Sequence, residues 1–412
     1  MAIHQTFCLY TLKKGGFSAI LGVTLGFACF FLTGCQQSGS SNSTGIAPKS
    51  VTGEDVVEHY ANLVLATYSD ALTAAERMRA NIEVFCEAPS AGTLTAARDA
   101  YINARIPYLQ SEVFRFYEGP IDDENGPEGL LNAWPIDEAY IDSVVDAPQA
   151  GLINNPAQMP EISPEALLAA NEKDGEENIS AGYHAIEFLL WGQDLSEEGP
   201  GARPASDFVS APNADRRRAF LLAATDLLVA NLQGLVDEWQ VKGLNYRQRF
   251  LTKPTDEALN NILTGMTMLS GFEMASERLM VAYDTQAQED EHSCFSDTTH
   301  LDVIYDIQGI NNVFFGSYTR LDDNETMHGA SIYDLLHATD PNLAETLKVI
   351  TRKSLDAARD IPAPFDQAIL GEDDAEGRQK ILRSVEVLEA QSERLKQAGE
   401  ALGLGPIQEV GS

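Results

Sequence analysis

Positive charge is what this chain lacks most: 28 Lys and Arg stand against 62 Asp and Glu, for a formal net charge of −34. Such a chain is repelled by a phosphate backbone, so no nucleic acid is expected as a partner. The acidity fits a solvated surface or cation binding. No His-Glu-x-x-His sequence occurs, nor its inverted form, so the familiar zinc-peptidase signatures are missing. Ser/His/Asp and Cys/His nucleophile motifs and phosphate-binding glycine loops are absent as well. The Asp122 to Gly126 segment fails the alternate-position spacing of a calcium-binding EF-hand loop. Alternating apolar and polar strands are lacking too.

The longest apolar run, residues 17 to 32, is shorter than the roughly 20 residues that a membrane-spanning helix needs. It follows Lys13 and Lys14 and leads into Leu32-Thr33-Gly34-Cys35, the order of an export signal. The four-residue ending resembles a bacterial lipoprotein signal, which makes residues 1–34 the expected signal peptide and Cys35 the expected lipid-bearing residue. Gln36 rather than Asp after the cysteine favours, by resemblance to sorting rules, the outer membrane of the bacterial envelope. Residues 35–50, rich in Ser, Gly and Gln, then form a flexible tether. Of the 5 cysteines, Cys86 and Cys294 remain for the folded part. In an oxidising compartment such a pair is expected to form a disulfide joining the two halves, the alternative being two free buried thiols.

Helical periodicity dominates the rest. Val56, Val57, Tyr60, Leu63, Val64, Thr67 and Tyr68 share a stripe behind a capping Thr52. Thr93 to Phe116 reads as a helix that Pro107 should kink or divide. Ser163-Pro164 starts another, and Phe220, Leu221, Ala224, Leu227, Leu228, Leu232 and Leu235 mark a bundle helix. Two more are expected, from Asp256 to Tyr283 and from Ile381 to Leu402, stopping at Gly403. The expected fold is all-α, two packed helical-bundle domains over 51–205 and 206–412, the length being more than one core usually serves. Ala181 to Glu187 and Ser270 to Ser276 align weakly, and a true duplication would give two similar bundles facing one another. Long acidic loops, expected to be ordered, lie between helices: Glu118 to Asp142, with eight acids, no Lys or Arg, and Trp134, and Gln288 to Cys294.

Gly182-Tyr183-His184-Ala185-Ile186-Glu187 opens an apolar stretch, so His184 and Glu187 share one helix face. An imidazole and a carboxylate there can hold a transition metal, or can simply satisfy each other as a buried pair. Two side chains do not complete a catalytic zinc site, which takes three protein ligands and an open position.

The motif Gly182-x-His184-x-x-Glu187 recurs here with three further blocks, Glu112-Val113-Phe114-Arg115-Phe116, Asn132 to Asp142 and Glu289 to Asp297. Together, over residues 51–405, they resemble the imelysin family and within it the iron-regulated protein A group. That resemblance implies a two-bundle helical fold, a surface lipoprotein, and a site where the motif meets the interface between the halves. It also leaves two activities open, iron supply and, from the family's classification, a zinc metallopeptidase. Candidate metal ligands are His184, Glu187, Glu112, Asp137 and Glu273, with Gly182, Arg115, Glu138 and Glu291 in support; Arg115 is expected to orient a carboxylate. His59, His292 and His300 are possible ligands, each read first as a surface or structural histidine. The expected cargo is iron, zinc being the alternative, taken as an ion or a small metal chelate, with an envelope transport or receptor protein as partner. A scaffold that binds other envelope proteins through its acidic face is the third reading.

Overall fold

The computed structural model describes residues 50–196 and 199–407; the expected signal peptide, Cys35 and nearly all of the expected tether lie outside them. Within this span helices dominate and the single sheet is a hairpin, Ser317–Thr319 (β1) against Thr326–His328 (β2). Helix α1, Gly53–Glu87, begins with a reciprocal capping box in which Thr52 and Asp55 satisfy each other's backbone N–H groups. Helix α2, Ala91–Leu109, begins the same way at Ser90 and Thr93. Pro107 does not divide it. The proline sits in the last turn, where its missing N–H costs one bond, and the helix ends two residues later, short of the expected Phe116.

Four helices pack around the first half of the core: α1, α2, α3 (Gly182–Trp191) and α4 (Ala214–Trp239). Every stripe residue named above for α4 is buried. A second group consists of α5 (Thr255–Met268) with its π-helical continuation Leu269–Met280, α6 (Thr299–Phe315), α7 (Pro341–Asp360) and α8 (Glu376–Ala401). The two groups share one continuous apolar core, joined where α1 meets α5 and α2 meets α6. The described residues from 50 to 407 accordingly fall in one compact unit, and the boundary expected at 205/206 separates α4 from the helices it packs on. The physical reason is that α4 turns its apolar face back onto α1 and α3, a long-range choice that periodicity does not encode.

The expected helix from Asp256 to Tyr283 is present, but its middle is wound as a π-helix. Ser270 to Ser276 therefore lies in a different local structure from Ala181 to Glu187, which opens an α-helix. The expected disulfide is not formed: both cysteines are buried free thiols. Cys86 ends α1 with its sulfur 3.8 Å from the Arg218 carbonyl, whereas Cys294 lies in the loop ahead of α6. Burial pushes the Cys86 thiol up to about 12.

Helix α3 is buried along its whole length, and its first residue explains the glycine of the motif. Gly182 has φ +87, and a Cβ there would stand 2.8 Å from the Leu131 carbonyl oxygen. No L side chain fits that combination of conformation and space. Gly182→Ala is expected to lower stability by about 1 to 3 kcal/mol, read as a drop in melting temperature of the purified protein. An unchanged melting temperature would contradict this role.

Candidate functional site

Helix α3 enters the core as a run of apolar residues broken by His184 and Glu187, both fully enclosed. Neither group can be left alone there, because an unpaired buried carboxylate or imidazole forfeits its hydration. Glu187 is satisfied on both oxygens. Its Oε1 accepts from the Ser296 N–H at 3.0 Å and the Ser296 hydroxyl at 2.6 Å. Its Oε2 accepts from Tyr101 on α2 at 3.2 Å and lies 2.9 Å from His184 Nδ1. Burial raises the Glu187 carboxyl to about 7, the hydrogen bonds from Ser296 limiting the rise.

Burial likewise holds His184 neutral, its pKa well below the ordinary imidazole value, and the nearby Arg105 guanidinium acts in the same direction. With Glu187 ionised, a neutral His184 donates from Nδ1, which leaves Nε2 as a lone pair. That atom is buried and has no hydrogen-bond partner. A carboxylate on one ring nitrogen with the other open is the arrangement found behind metal-bound histidines.

A second pair of the same kind stands beside the first. The His292 and His184 rings are 4.6 Å apart at 77°. His292 Nδ1 lies 2.6 Å from Asp302 Oδ2, in the first turn of α6, while its Nε2 is 3.4 Å from the Asn132 amide nitrogen. Burial, then the Arg278 charge, depresses His292 to about 3. Burial alone would raise Asp302; Arg105, at 3.1 Å, and hydrogen bonds from His292 and Ser293 outweigh it and keep the group ionised. Trp134, from the first acidic loop, covers His184 with 5.0 Å between ring centres. The site thus draws on α2, α3, the first acidic loop and the segment leading into α6, at the seam between the helix groups.

The remaining sequence candidates divide. Glu112 and Glu273 do not meet His184; they bind Arg278, at 2.8 Å each, in a separate buried cluster that also holds Asp306 at 2.7 Å. The i, i+5 spacing of Glu273 and Arg278 brings them together because the segment is a π-helix. Arg115 does orient carboxylates, Glu112 at 2.7 Å and Glu128 at 3.0 Å. Despite burial, Arg115 and Arg278 draw Glu112 down to about 2. Asp137 is exposed and caps a short helix through the Ala139 N–H at 2.9 Å. Burial raises Glu138, beside Asp137, and pushes Glu291 to about 9 near Asp366 and Asp297. His59 bonds the Gly316 carbonyl oxygen at 2.9 Å, a structural role. Sequence reasoning ranked His292 as a possible ligand behind a structural or surface role, and missed Asp302, Tyr101, Arg105 and Ser296. Only the His292-Ser293 pair inside an acidic loop hinted at them. Among the described residues, no three His, Cys, Asp or Glu side chains converge as a ready-made metal site.

The family model described as Imelysin matches residues 64–395. A curated relative, iron-regulated protein A of Synechococcus elongatus, is 25% identical over 325 residues, covering 77% of this chain and 78% of the relative. Among solved structures, an iron-regulated protein A precursor from Parabacteroides distasonis superposes with a TM-score of 0.66 at 20% identity, covering 86% of this chain and 97% of that one. An imelysin-like protein from Psychrobacter arcticum gives 0.62 at 14%, with 87% and 99% covered. At these identities the two structural likenesses concern the fold.

Glu187 sets a pH dependence whose sign follows from its raised value. The unfolded chain loses this proton near 4.5 and the folded protein near 7, so stability falls as pH rises through that window and levels off above it. The shift amounts to at most about 3 kcal/mol. Glu187→Gln, which does not titrate, is expected to remove that part of the decline in denaturant unfolding at pH values across the window. Parallel stability curves for the two proteins would rule the coupling out.

Proposed function

Since this chain belongs to the imelysin family, we propose that it is an envelope-anchored protein that holds a transition-metal ion, iron first among the candidates, for uptake or homeostasis. The observation that carries the reading is the pair of buried imidazoles, each fixed at Nδ1 by a carboxylate, with His184 Nε2 unpartnered and His292 Nε2 held only by the Asn132 amide at 3.4 Å. Neutral imidazole nitrogens suit iron, zinc and their neighbours and bind them without a competing proton. The name of the Synechococcus relative supports iron. Anchoring rests on Leu32-Thr33-Gly34-Cys35, and the outer membrane on Gln36.

Glu187 is here the group that orients His184 rather than a ligand itself, since both its oxygens are engaged. Two protein nitrogens leave the remaining coordination positions to water or to ligands that arrive with the metal. That incompleteness favours reversible holding over hydrolysis, for which a zinc ion takes three protein ligands. The zinc-peptidase reading would need a further side chain to move in.

Calorimetric titration of the purified protein with Fe(II) under anaerobic conditions, and with Zn(II), tests the proposal. His184→Ala and His292→Ala are each expected to weaken binding by more than about 100-fold, and Glu187→Gln by about 10- to 100-fold. Wild-type affinity should rise as pH passes about 7, where Glu187 ionises. Tight binding that survives both histidine substitutions would end the metal reading at this site.

A further inference from the structure

A cavity of about 690 Å³ lies against the site, with Trp134 and His292 in its lining. Both of those rings lie against His184, with ring centres 5.0 and 4.6 Å away, so the His184 imidazole with its unpartnered Nε2 is buried behind two residues of the cavity wall. The volume corresponds to about 20 waters at roughly 30 Å³ each, far more than a bare ion fills. An incoming metal can keep its hydration shell there.

The charge of the walls is one-sided. The lining holds two arginines, Arg115 and Arg278, and both are already engaged by carboxylates, Glu112 and Glu128 on the first, Glu112, Glu273 and Asp306 on the second. Glu172, Glu176, Glu177, Glu277 and Asp290 add five acids that no other basic lining residue offsets. The first four are exposed and form the rim. Acids of one sign around a concave space focus the potential and raise the local concentration of cations. The same field repels metal complexes of net negative charge, such as ferric citrate.

Resting on the metal reading for the identity of the cargo, we infer that this cavity is a cation-selective entry site: it admits the metal as a hydrated cation and excludes anionic chelates. The substrate class is thereby narrowed from ion or chelate to hydrated ion. The acidic loop that carries Trp134 supplies the cover, and the Glu172 to Glu177 segment supplies much of the field.

Substitution-inert complexes separate this inference from the metal reading, because they carry charge without offering the metal to a protein ligand. Hexaamminecobalt(III) should bind the wild-type protein at low ionic strength and be released as salt shortens the Debye length; hexacyanoferrate(III), of similar size and opposite charge, should not bind. Combined Glu172→Gln, Glu176→Gln and Glu177→Gln should weaken hexaammine binding about 10-fold. Asp356→Asn, Asp360→Asn and Glu386→Gln, which neutralise three exposed acids outside the cavity lining, should change it less than about 2-fold. His184→Ala should leave hexaammine binding intact while abolishing that of Fe(II). Equal loss in the two triple variants, or binding of hexacyanoferrate(III) or ferric citrate by the wild type, overturns the inference. Hexaammine binding with this pattern, but no Fe(II) binding, upholds cation entry and refutes the metal reading instead.

Discussion

Two buried carboxylates determine the chemistry at the centre of this protein. Glu187 and Asp302 are charged there with the help of donors that reach both Glu187 oxygens and Asp302 Oδ2 from three directions, Tyr101 and Arg105 on α2, the Ser293 to Ser296 segment, and the histidines themselves, while Asp302 Oδ1 has no hydrogen-bond partner. Satisfying the acids fixes the bases. Each imidazole gives its Nδ1 proton to a carboxylate and keeps Nε2 as a lone pair, and burial with Arg105 and Arg278 nearby prevents a second proton from attaching. The donors that the proposed metal binding calls on are thus prepared by the requirement to hide charge.

The same requirement ties the helix groups together. Arg278, on the π-wound continuation of α5, reaches Glu112 beyond the end of α2 and Asp306 on α6, so one guanidinium joins segments from both halves of the chain. Breaking one member of such a cluster leaves an uncompensated buried charge, which costs about 3 to 5 kcal/mol. That cluster and the histidine pair face one cavity, through Arg278 and His292. The buried charge cluster and the cavity therefore share a wall at the seam.

The helices were legible because their determinants are local. Apolar stripes, the Thr52 and Ser163 caps and the stop at Gly403 each act within a few residues, and the motif glycine carries its own reason in a positive φ. What the sequence left open depends on long-range packing. Asp302 lies 118 positions beyond His184, read from their residue numbers, and nothing in its neighbourhood announces that it holds His292. Glu112 and Glu273 carry the residue type of a metal ligand but meet arginines first, and Asp137 turns to cap a helix. Cys86 and Cys294 looked like partners only because they were the two left over; one ends α1 and the other sits ahead of α6. The resemblance pointed to the candidate site, while the pairing within it, with acids holding the histidines at Nδ1, required three-dimensional contacts.

The central claim is the protonation state of two rings, and nitrogen-15 NMR of the imidazoles reads it directly. In metal-free protein at about pH 8, above the Glu187 value, His184 and His292 should both be neutral with the proton on Nδ1 and an unprotonated Nε2. Adding a diamagnetic metal such as Zn(II) should then shift the Nε2 resonances and leave the Nδ1 protons in place. A proton on Nε2 of either ring, or doubly protonated rings, would contradict the account.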